Sequence, residues 1–151
     1  LYCKTDEEML SKTCEYALRA MIYIAQQSCD GKSVNIGEIS KSINSPQLFI
    51  AKILQRLTRQ GFVHSVKGRY GGFCISDEEA KASLADIIRA VDGEKIFQGC
   101  GLGLAYCSEK NPCPIHNTYK EARDQLHKIY SDTTLEQFRM ANHEELQLRR
   151  E

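Results

Sequence analysis

No stretch of this sequence approaches the ~18 consecutive apolar residues that a membrane-spanning helix needs, so no membrane partner is expected. Proline is scarce, at three residues, and glycine stands at ten, which excludes proline-rich and collagen-like designs. The first residues, LYCKTDEEML, hold no basic start followed by an apolar run. No secretory signal is expected there, and a cytoplasmic location is. Net charge is absent too: 20 Lys and Arg balance 20 Asp and Glu. That zero hides a further absence. Between Glu38 and Asp77 no acidic residue occurs, while Lys41, Lys52, Arg56, Arg59, Lys67 and Arg69 fall inside. The interval is six charges positive and the remainder of the chain six negative. A localised cationic segment in a neutral chain is the footprint of polyanion binding, although by charge alone it equally fits a solvated surface.

What is present is an ordinary globular balance. With 151 residues, 42% hydrophobic and 26% charged, the chain is long enough for one domain with a real core. Leu10, Cys14, Ala17, Leu18, Met21, Ile24 and Ala25 recur at three- and four-residue steps and predict a helix over 10–28. Thr5 with Glu8 offers an earlier capping box, and Asp30-Gly31 marks a turn. Asn35 with Glu38 opens a short helix with Ile36, Ile39 and Ile43 inward. Asn44-Ser45-Pro46 breaks it, with Ser45 placed to cap the next helix and Pro46 at its first position. That helix runs to about Gln60, its stripe formed by Phe49, Ile50, Ile53, Leu54 and Leu57, and Gly61 stops it. Gln47, Ala51, Lys52, Gln55, Arg56 and Arg59 fall wholly or partly outside the stripe. Two short helices joined by a tight turn, the second basic outside, make a helix-turn-helix pattern.

Phe62–Val66 and Phe73–Ile75 then read as two strands around the tip Lys67-Gly68-Arg69-Tyr70-Gly71-Gly72, a hairpin in the position of a wing. Lys67 and Arg69 are placed to reach phosphates or the minor groove, and the glycines to let the backbone approach them closely. Ser83 with Asp86 caps a fourth helix ending at Gly93. Residues 93–116 lack periodicity. Beyond them Ile115, Tyr119, Ala122, Leu126 and Ile129 form a narrow seam on a highly charged helix, suited to pairing with a second copy. Thr134 with Gln137 begins a last, weakly amphipathic helix carrying Leu135, Phe138, Leu146 and Leu148. The expected fold is mainly α with a small β-hairpin: a winged helix-turn-helix over 9–92, a cysteine-rich loop over 93–116, and a dimerisation helix with a C-terminal helix over 117–151.

The run PQLFIAKILQRLTRQGFVHSVKGRYGGFCIS resembles the DNA-binding half of the Rrf-two family of bacterial transcriptional regulators. TCEYALRAMIYIA resembles that family's first helix and SLADIIRAVDGE its fourth, so the likeness covers about residues 9–130. It implies a winged-helix homodimer that binds a double-stranded DNA operator, with no enzymatic activity and no small-molecule substrate. Carried over by position, Gln47, Leu48, Ala51 and Lys52 face bases in the major groove, and Lys67 takes the basic place on the wing. The family's cluster-assembly regulator has Glu and Gln where this chain has Ala51 and Lys52, which points to a different operator. Lysine there suits guanine, whose O6 and N7 accept from it.

Of the seven cysteines, Cys3, Cys14, Cys29 and Cys74 are scattered and read as small hydrophobes. The other three stand in the pattern Cys100-x6-Cys107-x5-Cys113-x2-His116. Four soft or borderline ligands in 17 residues signal a metal. Glycines Gly99, Gly101 and Gly103 allow N–H groups to point at sulfur. By residue chemistry alone a structural Zn²⁺ or a metal-free thiol switch also fits, although zinc knuckles usually space cysteines by ~2–4 residues. The family resemblance implies an iron–sulfur cluster, [2Fe-2S] or [4Fe-4S], on three cysteines and one further ligand. His116 stands in the place of the cluster-assembly regulator's histidine. Glu15 stands where some relatives use a carboxylate from the partner's first helix. His64, His127 and His143 read as surface or strand residues. A catalytic Cys–His pair is the weakest reading, because nothing supplies an oxyanion site.

Overall fold

Ser11 starts the first helix. Its hydroxyl oxygen accepts the N–H of Cys14 at 3.0 Å, and its own N–H donates to the Asp92 carboxylate at 2.9 Å. The computed structural model describes residues 9–28, 32–106, 108–141 and 146–149. The Thr5–Glu8 box and the Asp30-Gly31 turn lie outside them. In chain order the elements are α1 (Lys12–Gln27), α2 (Ile36–Ile43), α3 (Gln47–Arg59), β1 (His64–Val66), β2 (Gly72–Cys74), a 3-10 turn (Glu79–Lys81), α4 (Leu84–Asp92), α5 (Lys95–Gln98), α6 (His116–Asp132) and α7 (Leu135–Met140). The helical majority with one antiparallel hairpin is the expected fold class.

Local chemistry sets most of these boundaries. Asn35 and Glu38 form the capping box of α2, and Ser83 and Asp86 that of α4. Helix α3 ends in a Schellman motif, with the Phe62 N–H on the Leu57 carbonyl and the Gly61 N–H on that of Thr58, both at 3.1 Å. Its start departs from expectation. Pro46, not Ser45, occupies the cap position and makes no side-chain bond there. Ser45 instead turns inward, and its hydroxyl has no hydrogen-bond partner among the described residues. The chain leaves α2 through Asn44 at φ 54°, and this left-handed step swings Ser45 away from the helix it was expected to cap.

The core is built where the helix stripes meet. Met21 and Ile24 of α1, Ile39 and Ile43 of α2, Ile50, Leu54 and Leu57 of α3, and Ile87 and Ile88 of α4 are all fully buried. Close packing of such side chains supplies the main drive for folding. The weak C-terminal pattern proves to be part of the same core. Leu135 is fully buried, and Phe138 and Leu148 pack against its neighbours. Backbone bonds from Leu84 N to Thr133 O (2.8 Å) and Leu135 N to Ala82 O (3.2 Å) tie α7 beside the start of α4. Arg139 completes the seam, donating to the carbonyls of Ala25 and Ile75 and pairing with Asp77 at 2.8 Å.

The hairpin pairs His64 with Cys74, Ser65 with Phe73 and Val66 with Gly72. Val34 adds a single-residue bridge on the other side of β2. It exchanges two 2.8 Å bonds with Phe73, so the wing is anchored to the segment entering α2.

Candidate nucleic-acid interface and metal site

Helix α3 is rooted on its inner side. Phe49 meets Tyr16 of α1 edge-on at 5.5 Å, and Ile50 is fully buried. Its outer side therefore has a fixed orientation. Gln47, Leu48, Lys52 and Arg59 are exposed there, with Ala51 half-buried between them. Leu48 stands 80% exposed on the first turn, an apolar contact of the kind that reads a thymine methyl. Arg56 is placed differently. One of its terminal nitrogens donates to the Ala90 carbonyl at 2.7 Å, so the side chain leans on α4.

The wing tip displays Lys67, Arg69 and Tyr70, all exposed, with Tyr70 at 84%. The Arg69 guanidinium lies 5.7 Å from the Tyr70 ring centre, and Ser33 donates to the Tyr70 carbonyl at 2.7 Å. The structure gives Gly72 a reason other than approach to a ligand. A Cβ there would lie 2.3 Å from the Val34 carbonyl oxygen. Only glycine permits the bridge between Val34 and Phe73, a demand set inside the protein.

The cysteine loop sits at the head of α6. Cys100, Gly101, Cys113, Ile115, His116, Tyr119, Lys120 and Arg123 line one cavity. The Leu102 N–H is aimed at the Cys100 sulfur at 3.4 Å. The Cys113 carbonyl accepts the His116 N–H at 3.0 Å, which joins the last cysteine to the first turn of the helix. The Tyr119 ring closes over Gly101, where a Cβ would come within 2.6 Å of it. Arg123 grips the far side of the loop, donating to the carbonyls of Gln98 (3.1 Å) and Gly99 (2.8 Å). Lys120 pairs with Glu109, a contact that holds the lysine above and the carboxyl below their ordinary values. Lys120 and Arg123 thus line the same cavity as the two sulfurs.

Cys107 lies outside the described residues. Among the described residues no three metal-ligating side chains gather as a site. Two sulfurs and an imidazole on one cavity, with an N–H directed at one sulfur, nevertheless fit the donor chemistry of an iron–sulfur group or zinc. Glu15 is elsewhere in the chain, lining a separate hollow with Leu18, Arg19 and Arg149. Cys14 is a core thiol, pushed up to about 12 by burial and then by the charge of Asp92.

Helix α6 has no buried residue. One face packs inward through Arg123, through His127 against Phe97 (4.7 Å between ring centres), and through Tyr130. The adjoining face holds the seam. Ile115 and Tyr119 are each 41% exposed and Ile129 60%, with Ala122 exposed and Leu126 half-buried. The roles of Arg123 and Arg139 had no signal in the sequence, because a long cation that bonds distant carbonyls looks like any surface arginine.

A helix-turn-helix with a hairpin wing is the frame of a DNA-binding regulator. The family described as "Rrf2: Iron-dependent Transcriptional regulator" matches residues 10–140, and the chain belongs to it. A protein of Aquifex aeolicus that carries the name of an HTH-type transcriptional regulator is 34% identical over 129 residues, covering 84% of this chain and 88% of the relative. The HTH-type transcriptional regulator NsrR of Oceanobacillus iheyensis is 27% identical over 138 residues, covering 91% and 92%. IscR of Yersinia pseudotuberculosis is 26% identical over 126 residues, covering 83% and 76%. Among solved structures, CymR, the global cysteine regulator of B. subtilis, superposes with a TM-score of 0.70 at 22% identity, covering 86% of this chain and 95% of that one. IscR of T. potens gives 0.69 at 19%, covering 91% and 90%. The relatives are transcriptional regulators, and this chain is a DNA-binding transcriptional regulator and not an enzyme. No helix among the described residues is long and apolar enough to cross a membrane.

Proposed function

We propose that the chain is a homodimeric, sequence-specific regulator whose hold on a double-stranded operator is set by an iron–sulfur cluster, [2Fe-2S] in the first instance. Cys100, Cys107 and Cys113 would hold it, with His116 as fourth ligand and the partner's first-helix carboxylate, Glu15, as the rival. The observation that carries this reading is the cavity at the head of α6, which Cys100, Cys113 and His116 line together with Lys120 and Arg123. When bound, such a cluster supplies a centre open to attack by oxidants or nitric oxide. The rest belongs to the protein. Arg123 and Tyr119 connect the loop to α6, so a change in loop order is passed to the helix that carries the seam Ile115, Tyr119, Ala122, Leu126 and Ile129. A shift of that helix alters the distance between two α3 helices, which must match half-sites ~34 Å apart or a multiple of that. On this reading Gln47, Leu48, Ala51 and Lys52 face bases, while Arg59, Lys67 and Arg69 face phosphate or the minor groove. Arg56 joins them once it releases Ala90.

The test is purification without oxygen, followed by visible spectroscopy and iron and acid-labile sulfide analysis of the native chain and of Cys100→Ala. Coloured native protein with iron and sulfide, lost in the variant, is expected. Selection of oligonucleotides by the loaded and stripped forms should then enrich one sequence more strongly in one state. A second reading draws on the chemistry of the same residues, since cysteine sulfurs and a histidine on one cavity also suit a structural zinc, or thiols that act without metal. Colourless protein with stoichiometric zinc, or with no metal, would establish it in place of the first.

A further inference from the structure

At the root of the wing, away from the cysteine loop, three side chains from three elements join in a line. His64 of β1 and Cys74 of β2 are cross-strand partners. The Cys74 sulfur lies 2.7 Å from His64 Nε2, and His64 Nδ1 lies 2.8 Å from a Glu79 carboxylate oxygen on the 3-10 turn. Glu79 is itself fixed: the same oxygen accepts the Ser76 N–H at 2.7 Å, and the Ser76 hydroxyl oxygen accepts the Glu79 N–H at 3.2 Å. A nucleophile in reach of a base, with the base oriented by a third group, is the arrangement that activates a thiol. We propose that Cys74, His64 and Glu79 form a thiol modification site at which a hydroperoxide oxidises Cys74 to a sulfenic acid.

The protonation pattern is consistent with a base-assisted step. Burial, then the charge of Glu79, pushes the Cys74 thiol above its ordinary value. Burial acts upward on Glu79 as well, but hydrogen bonds from the Ser76 backbone and then from His64 outweigh it and hold the carboxyl below its usual range. In the proposed step the sulfur gives its proton to the imidazole nitrogen beside it, while the other ring nitrogen faces the carboxylate. Access selects the reagent. Cys74 is 7% exposed, whereas the His64 side chain is 46% exposed. A small, neutral oxidant can reach the sulfur past the imidazole edge more readily than a bulky one.

The step balances. The thiol proton passes to His64 Nε2 as the sulfur lone pair attacks one peroxide oxygen. An S–O bond forms and the O–O bond breaks. The departing hydroxide takes the proton from the imidazolium and leaves as water. Sulfur loses two electrons and the peroxide gains them. The added oxygen must be housed between β1 and β2, where sulfur and imidazole now touch, so the hairpin that carries Lys67 and Arg69 has to adjust.

The experiment treats the full chain, purified without oxygen, with limiting hydrogen peroxide and a sulfenic-acid trapping dione, and reads the Cys74 peptide by mass spectrometry. The readout needs neither DNA nor a cluster, so it stands apart from the function proposed above. The expected result is trapping at Cys74 that falls about tenfold or more in His64→Ala, in line with the loss of a general base, and less in Glu79→Gln. Added imidazole should restore part of the His64→Ala rate, which a purely structural role for His64 would not permit. Equal trapping in the native chain and His64→Ala, or a Cys74 rate no higher than in urea-unfolded chain, would overturn the proposal.

Discussion

Lys52 and Arg69 each carry one positive charge, yet their removal has different expected outcomes. Lys52 stands on the outer face of α3, so Lys52→Ala should relax preference at one base pair, a loss of about 1–3 kcal/mol on the preferred base. Arg69 stands on the wing tip, so Arg69→Ala should weaken all sequences alike and reduce the salt slope by about one. Titrations on specific and scrambled duplexes at several salt concentrations separate the two. Gly72 makes a stability prediction. A Cβ at 2.3 Å from the Val34 carbonyl cannot be accommodated without moving backbone, so Gly72→Ala should cost on the order of 2 kcal/mol or more in urea unfolding. At this scale the sequence was readable where the chemistry is local. Asn35 and Ser83 cap as their spacing indicates, because both partners of a capping box lie within one turn. The purpose of Gly72 was not readable, since the atom it avoids is 38 residues away in the chain.

At the scale of the element, α6 has two faces and both are occupied or available. The face with Arg123, His127 and Tyr130 is taken by α5 and its neighbours, while the Ile129 side chain is 60% exposed. If the proposed homodimer pairs through this face, Ile129→Glu should leave the circular dichroism of the fold intact and give a monomer in light scattering where the native chain gives a dimer. A variant that remained dimeric would place the interface elsewhere. Helix α6 was legible because its apolar period repeats over two heptads. Helix α5, only four residues long, was not, because no periodicity can register over one turn, and Phe97 was invisible for the same reason. The wing root has a pH dependence of its own. Folding holds the Glu79 carboxyl below its ordinary value, so its contribution is full above that value and is lost as pH falls through the depressed one. Acid unfolding of Glu79→Gln should be less steep in that window than that of the native chain.

For the whole molecule the decisive feature is polarity without net charge. The acid-free interval from α2 to the wing is positive by six, and in a dimer two such faces act together. If three or four basic residues per subunit meet phosphates, the logarithm of affinity should fall with the logarithm of salt with a slope of about −5 to −7. A slope near zero would contradict the docking proposed here. This polarity was plain from the order of residues, since charge needs no knowledge of the fold. The return of the C-terminus was not, because Leu135, Phe138 and Leu148 mean little until α1 is seen to be the surface they cover. That return sets an order of events during synthesis. Leu135 and the Arg139 clamp are made more than a hundred residues after α1, yet they close over it. While the ribosome is still translating, the apolar side of α1 lacks its final cover, and this long-range closure is a slow class of contact to form. The nascent chain thus passes through a stage in which α3 and the wing exist but the last wall of the core they share does not.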